Sequence, residues 1–253
     1  MQRPNAAQLS HEVTDDEFLG GRVKLWQPVT GFRAGLDSVM LAAAVPATRN
    51  ARVCDLGIGV GTASLCLAAR LPDARITGLE IDPELAELAR ANAARNHLKA
   101  FEVVEGDVFA RPRALARQAF DHVITNPPFF DIARGTRAPD AGKARATSVH
   151  TNDLQAWLRF ARALAKGGGW VTAILPPDQL SVALAALAPA GLGTEIIPLW
   201  PKVGEPAKRL IIRVRMNARA PLRLLPGLVL HGTGGKPTRE AEAVLRQGES
   251  LFK

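Results

Sequence analysis

Two hydrophobic periods alternate along this chain, and the switch between them recurs from residue 51 to residue 175. Short apolar runs at 51–56, 75–81, 101–105, 120–125 and 170–175 read as buried strands. Between them lie stretches with apolar residues every three to four positions. Thr62 to Leu71 is one, and a second opens at Pro83, a favourable first-turn residue, with Leu85, Leu88 and Ala89 on one face. Thr151 to Lys166 is the third: Leu154, Trp157, Leu158, Ala161, Leu164 and Ala165 share a face, and Gly167-Gly168-Gly169 stops it. Strand and helix in alternation with short connections predict an α/β fold, a mostly parallel sheet with helices on both faces and right-handed crossovers.

The flanks carry weaker signals. Residues 1–13 read as a tail, residues 18–29 as a short hairpin after Gly20-Gly21, and Asp37 as the cap of a helix that stops at Pro46. Gly193 to Leu199 and Leu210 to Met216 add two strands, giving seven in all, and Pro237 to Arg246 forms a last helix closed by Gly248. The expected division is 1–50 as tail, hairpin and helix packed on the central fold, 51–216 as that fold, and 217–253 as a strand and helix extension.

Composition narrows the class. With 253 residues and 47% hydrophobic side chains, a sizeable core is within reach and general disorder is excluded. Lys and Arg outnumber Asp and Glu by 32 to 24, which favours an anionic partner such as nucleic acid. Cys54 and Cys66 fall in a strand and a helix and read as small buried apolar residues in a reducing compartment, with no metal or disulfide expected. Residues 1–10 lack the apolar core of a signal peptide and no window approaches eighteen apolar residues, so a soluble, cytoplasmic protein without membrane attachment is expected.

Chemistry enters at the carboxyl ends of the strands. The first strand runs into Asp55-Leu56-Gly57-Ile58-Gly59-Val60-Gly61 and then directly into a helix. Glycines there let the main chain turn tightly against a ligand. The G-x-G-x-G spacing differs from the G-x-G-x-x-G that holds a pyrophosphate. S-adenosylmethionine has no phosphate but carries an ammonium and a sulfonium, and Asp55 suits its cationic end. Glu80 ends the second strand, placed to accept from two ribose hydroxyls, and Asp107 ends the third, within reach of an adenine amine; Ile81 and Val108 flank them as candidate contacts. Singly, Asp55 is also a turn former, Glu80 a solvated strand end and Asp107 a helix cap. Together they occupy the edge where open sheets bind ligands.

The fourth strand ends at Asn126-Pro127-Pro128-Phe129, because proline cannot donate to a ladder. An amide side chain and a proline-locked carbonyl can accept both hydrogens of a planar NH2 group while an aromatic ring stacks on the base that carries it. A strand followed by a plain proline turn fits the same four residues.

With the glycine turn, Glu80, Asp107 and Asn-Pro-Pro-Phe in this order, the chain resembles the Rossmann-like class I S-adenosylmethionine-dependent methyltransferases, in their amino-methylating branch. Thr30 to Ser38, Phe129-Phe130 and Lys208 to Ile212 extend the resemblance to the bacterial tRNA1(Val) adenine-N6 methyltransferase group. That resemblance implies methyl transfer to an exocyclic amine of tRNA, S-adenosylhomocysteine as product, Asn126, Pro127, Pro128 and Phe129 as the catalytic set, and Arg33 near the cofactor with Asp55, Gly57, Gly59, Gly61, Glu80, Ile81, Asp107, Val108 and Asn126. Where the family often has Tyr, Phe129 keeps the stacking face but brings no hydroxyl.

Arg134, Arg137, Lys143 and Arg145 in the long 131–150 connection, and Lys202, Lys208, Arg209, Arg213 and Arg215 further on, are candidate contacts for RNA phosphates. Three alternatives stand beside this reading: a glutamine N-methyltransferase of protein, a guanine-N2 methyltransferase of ribosomal RNA, and a non-catalytic RNA-binding module.

Overall fold

A computed structural model describes residues 12–30, 33–46, 48–128, 151–188, 191 and 193–252. A hairpin, β1 (Val13–Phe18) and β2 (Val23–Pro28), precedes helix α1 (Leu36–Ala44). The alternating core follows: β3 (Arg52–Leu56), α2 (Thr62–Arg70), β4 (Arg75–Glu80), α3 (Pro83–Arg95), β5 (Phe101–Glu105), β6 (Phe120–Thr125), α4 (Thr151–Leu164) and β7 (Ala165–Leu175). After it come α5 (Leu180–Leu187), β8 (Thr194–Trp200), β9 (Arg209–Arg215), β10 (Arg223–Leu224), β11 (Leu228–Val229) and α6 (Arg239–Gln247).

The strands lie in the order β10-β8-β9-β7-β6-β3-β4-β5, with β11 also on β8. From β5 to β7 the pairings are parallel; β9 runs antiparallel between β7 and β8. Among the described residues the sheet has nine strands, not the seven expected. The seven long ones, β3 to β9, are those legible from apolar runs, whereas β10 and β11 are two residues each, too short for any period to register. Because β9 turns back, Arg209 at its start sits level with the carboxyl ends of the parallel strands, opposite Leu199 and beside Leu210, which pairs with Leu175.

Apolar side chains cover the two faces separately. Met40, Leu41, Leu65, Leu67 and Leu88 bring α1, α2 and α3 onto one face, joined by Val244 of α6. Leu154, Leu158, Leu164 and Leu187 bring α4 and α5 onto the other. Cys54 and Cys66 are buried free thiols inside these layers. The hairpin is clamped to α3 by Asn92, fully buried, whose amide accepts from Trp26 N at 2.8 Å and donates to Trp26 O and Val60 O at 3.0 Å. Arg95 lies over the Trp26 ring at 4.5 Å and pairs with Asp15 at 2.8 Å.

Local chemistry explains the element ends and several departures from expectation. Asp82 caps α3, accepting from Glu84 N at 2.9 Å, with Pro83 in the first turn. Gly248, at φ 62°, closes α6. The hairpin starts at Val13, inside the stretch expected to be tail, because its first strand, VTDDEF, is mostly polar; residues 1–11 lie outside the described residues. Asp37 does not cap α1: Gly35 holds that position without a side-chain bond. The glycine run does not end α4 but lies within β7, where a Cβ on Gly169 would stand 2.9–3.0 Å from three main-chain oxygens of Phe120, Asp121 and Lys166.

Candidate active site

The glycine turn is held from the neighbouring strand. Gly57 N and Ile58 N both donate to Leu79 O, at 2.9 and 3.0 Å, and Gly57, Gly59 and Gly61 have φ of 71°, 55° and 92°. These are left-handed conformations that side chains rarely adopt. The three glycines serve different ends. A Cβ on Gly57 would sit 3.0 Å from the Trp157 ring, one on Gly61 would meet Ala89 and Phe101 at 3.6 Å, and one on Gly59 would meet nothing within 4 Å. Gly59 is therefore the open cradle, Gly57 a close-packing point, and Gly61 the entry to α2. Beneath the turn, Gly78 in β4 leaves room for Ile58, whose Cδ1 would lie 2.3 Å from a Cβ there.

Three acids line the rim as the strand ends dictate. Asp55 is buried and accepts from Ser64 Oγ at 2.6 Å. Burial lifts its carboxyl from 3.8 to about 7; the Ser64 hydrogen bond pulls down against that, and the Glu80 charge adds to it. Glu80, also buried, accepts from Gly59 N at 2.8 Å through Oε2 and from Ile81 N and Asp82 N at 3.0 and 3.1 Å through Oε1. Burial raises its pKa, and those main-chain donors oppose the rise. Three donors leave about one acceptor position on a carboxylate. Asp107 accepts from Phe109 N at 2.8 Å as the cap of a short 3-10 turn, and Gly106 N reaches back to Glu80 O at 2.7 Å. Val108 is buried, whereas Ile81 stands 65% exposed, an apolar surface beside the acids.

The end of β6 completes the cleft. Thr125 donates to Leu56 O and accepts from Trp157 Nε1, both at 2.9 Å, so β6, β3 and α4 are joined one residue before Asn126. Asn126, half-buried, lines one cleft with Asp55, Gly57, Gly59, Thr62, Ala34 and Ser38. Pro127 is buried; Phe129 and the 131–150 connection, with Arg134, Arg137, Lys143 and Arg145, lie outside the described residues.

Two expected contacts have protein partners of their own. Arg33 turns to the hairpin, donating to Thr14 Oγ1 and Pro28 O at 2.9 Å and pairing with Asp16 at 2.7 Å, and it is not among the residues lining the cleft. Arg213 is buried, ion-paired with Glu195, and stacked over Phe252 at 3.6 Å, so it offers no surface charge. Ser64, Thr62 and Trp157 join the site only through the fold. In the sequence, Ser64 is detectable as the position one turn into the helix after the glycines; Trp157 is indistinguishable there from the rest of a core stripe.

The donor set suits the cationic amino-acid end of S-adenosylmethionine. Thr62 Oγ1 is buried on the cleft wall without a hydrogen-bond partner among the described residues, and the half-neutral Asp55 acid is the kind a bound cation returns to its charged form. Among the described residues no cluster of His, Cys, Asp and Glu is arranged to hold a metal, and no helix is long and apolar enough to cross a membrane.

A twisted parallel sheet with one antiparallel return, a glycine turn over its first strand and acids on successive strand ends is the arrangement of a class I S-adenosylmethionine-dependent methyltransferase. A family model, the methyltransferase small domain, matches residues 33–139. A tRNA1(Val) (adenine(37)-N6)-methyltransferase of Porphyromonas gingivalis is 35% identical over 172 residues, 65% of this chain and 67% of that one. One from Bacteroides thetaiotaomicron is 30% identical over 196 residues, 76% of this chain and 81% of that one. A solved structure of a predicted O-methyltransferase, Atu636 of Agrobacterium tumefaciens, is 31% identical and superposes with a TM-score of 0.68 over 85% of this chain and 98% of its own. The chain belongs to the same methyltransferase family as these curated tRNA1(Val) adenine-N6 enzymes.

Proposed function

We propose that this protein methylates the exocyclic N6 of an adenine in tRNA, in the cytoplasm, with S-adenosylmethionine as donor and S-adenosylhomocysteine as product. The observation that carries the reading is Asn126 on the wall of the cleft that also holds Asp55, Gly57 and Gly59. Residues 51–216 would carry the cofactor and the chemistry, with 1–50 packed against them as tail, hairpin and helix and 217–253 as an extension.

When bound, the cofactor supplies an electrophilic methyl on a sulfonium. Asp55 and Thr62 would face its ammonium, Glu80 and Ile81 its ribose and adenine edge, and Asp107 with Val108 the adenine. An adenine amine is a poor nucleophile because its lone pair is delocalised into the ring. The Asn126 side-chain oxygen and the Pro127 carbonyl, accepting its two hydrogens, favour a pyramidal nitrogen and fix the direction of its lone pair; Pro128 stiffens the pair and Phe129 stacks on the base. Transfer would form the N–C bond as the methyl–sulfur bond breaks, with S-adenosylhomocysteine leaving and one amine proton passing to solvent, so positioning and charge placement would do the catalysis with no strong base. The base must leave its stack to enter.

A guanine or glutamine amine could be gripped by the same two acceptors. The curated relatives' names favour adenine. Incubating the protein with unmodified tRNA and the cofactor, followed by nucleoside mass spectrometry, should yield N6-methyladenosine. A product on guanine, or methylation of protein only, would replace the substrate assigned here.

A further inference from the structure

On the face opposite α1 and α2, a groove of about 480 Å³ runs between α4 and the segment that leads from Asp107 down to β6. Arg111, Arg113 and Arg117 line it from that segment and Arg159 lines it from α4, over a floor that includes Leu115 and Phe160. All four arginines are exposed, and among the described residues no Asp or Glu lines the groove. Some arginines elsewhere on this molecule pair with carboxylates: Arg33 with Asp16, Arg90 with Glu87 and Glu105, Arg209 with Asp37. Among the described residues, none of these four side chains forms an ion pair or a hydrogen bond. Four unpaired guanidiniums held together repel one another, so the groove is suited to a ligand with several negative charges at regular spacing.

Its position says which ligand. Arg111 directly follows the 3-10 turn Val108–Ala110, whose first residue neighbours Asp107, and Phe109 of that turn meets Trp157 edge-on at 6.2 Å. Trp157 in turn supports Gly57 and bonds Thr125, next to Asn126. The groove thus begins at the rim of the cleft and leads away from it along α4. A lone phosphate would engage one or two guanidiniums; a phosphodiester chain engages all four while delivering one of its bases to the cleft.

Resting on the substrate class proposed above, we infer that this arginine groove binds the phosphodiester backbone of the RNA beside the target base. Guanidiniums release counterions from phosphates on binding, so each lost contact weakens binding and lowers its dependence on salt.

The test compares wild type, R111A/R113A/R117A and R111K/R113K/R117K in binding an unmodified tRNA transcript across a salt series. Cofactor affinity by calorimetry and thermal melting are measured alongside. The expected result for the alanine variant is a loss of about tenfold or more in tRNA affinity and a salt slope shallower by about 2. Its melting and cofactor affinity should stay at wild-type values, with the lysine variant recovering much of the binding. Unchanged tRNA affinity and salt slope in the alanine variant, with wild type still methylating tRNA, would overturn the groove and leave the activity standing. A wild-type protein that neither binds nor methylates RNA would overturn both.

Discussion

Asp37 and Arg209, 172 residues apart, meet through a 2.7 Å bond from Arg209 Nε to Asp37 Oδ2. The pair joins the first turn of α1, whose Ser38 lines the cleft, to the start of β9 on the same rim. Two sequence stretches flanking the methyltransferase motifs are thereby one structural unit, and Asp37 serves as a clamp where a helix cap was expected.

That clamp is measurable. Both side chains are partly exposed, at 21% and 30%, so screening limits the pair to about 1 kcal/mol. D37A and R209A should each destabilise the fold modestly in urea, and the double variant should cost less than their sum by about 0.5–1 kcal/mol. Strict additivity would mean the bond contributes nothing.

Removing the amide should separate chemistry from cofactor binding. Asn126→Ala is expected to lower kcat by about 10²–10³-fold, the scale for losing one preorganised polar group. Calorimetry should find cofactor affinity within about twofold of wild type. Loss of both together would assign Asn126 to holding the cofactor.

Much of this site is legible in the sequence. Asp55, Glu80, Asp107 and Asn126 each lie within two residues of a strand's carboxyl end, and a parallel strand order brings such ends to one rim. What escaped depends on side chains reaching across elements. Arg33 belongs to the hairpin because β1 supplies Thr14 and Asp16, and β1 is a polar strand that leaves no hydrophobic trace. In α5, seven of eight residues are apolar, so no polar face marks it as a helix. Arg213 reads as solvated in β9, yet Glu195 directly opposite makes its burial tolerable.

The acid in the turn gives the cofactor a pH dependence. The native Asp55 carboxyl titrates at about 7 and the unfolded one at 3.8. Between those values the folded, cofactor-free protein keeps a proton that the unfolded chain has released, so its contribution to stability declines as pH rises from about 4 to about 7. Binding of a cation prefers the ionised form, so cofactor affinity should instead rise with pH and level off above about 7. D55N should flatten the profile, and calorimetric titrations from about pH 6 to pH 8 in wild type and D55N decide the matter.

Two neighbouring glycines should fail differently. Gly57→Ala combines left-handed backbone strain with a 3.0 Å approach to the Trp157 ring, and should cost about 2–3 kcal/mol in thermal or urea unfolding. Gly59→Ala meets open space, so it should cost about 1–2 kcal/mol from strain alone but weaken cofactor binding more than tenfold by filling the cradle. Equal effects on both readouts would remove the distinction between a packing point and a ligand surface.

The missing carbon at Gly78 makes the shape of the turn a property of two loci. Ile58 occupies the space that any larger residue at position 78 would need. A lineage that acquired alanine there would have to trim position 58 in the same episode or lose the bend over β3. The two sites should therefore be inherited as a matched couple, one small and one branched, although one lies in the glycine turn and the other in β4.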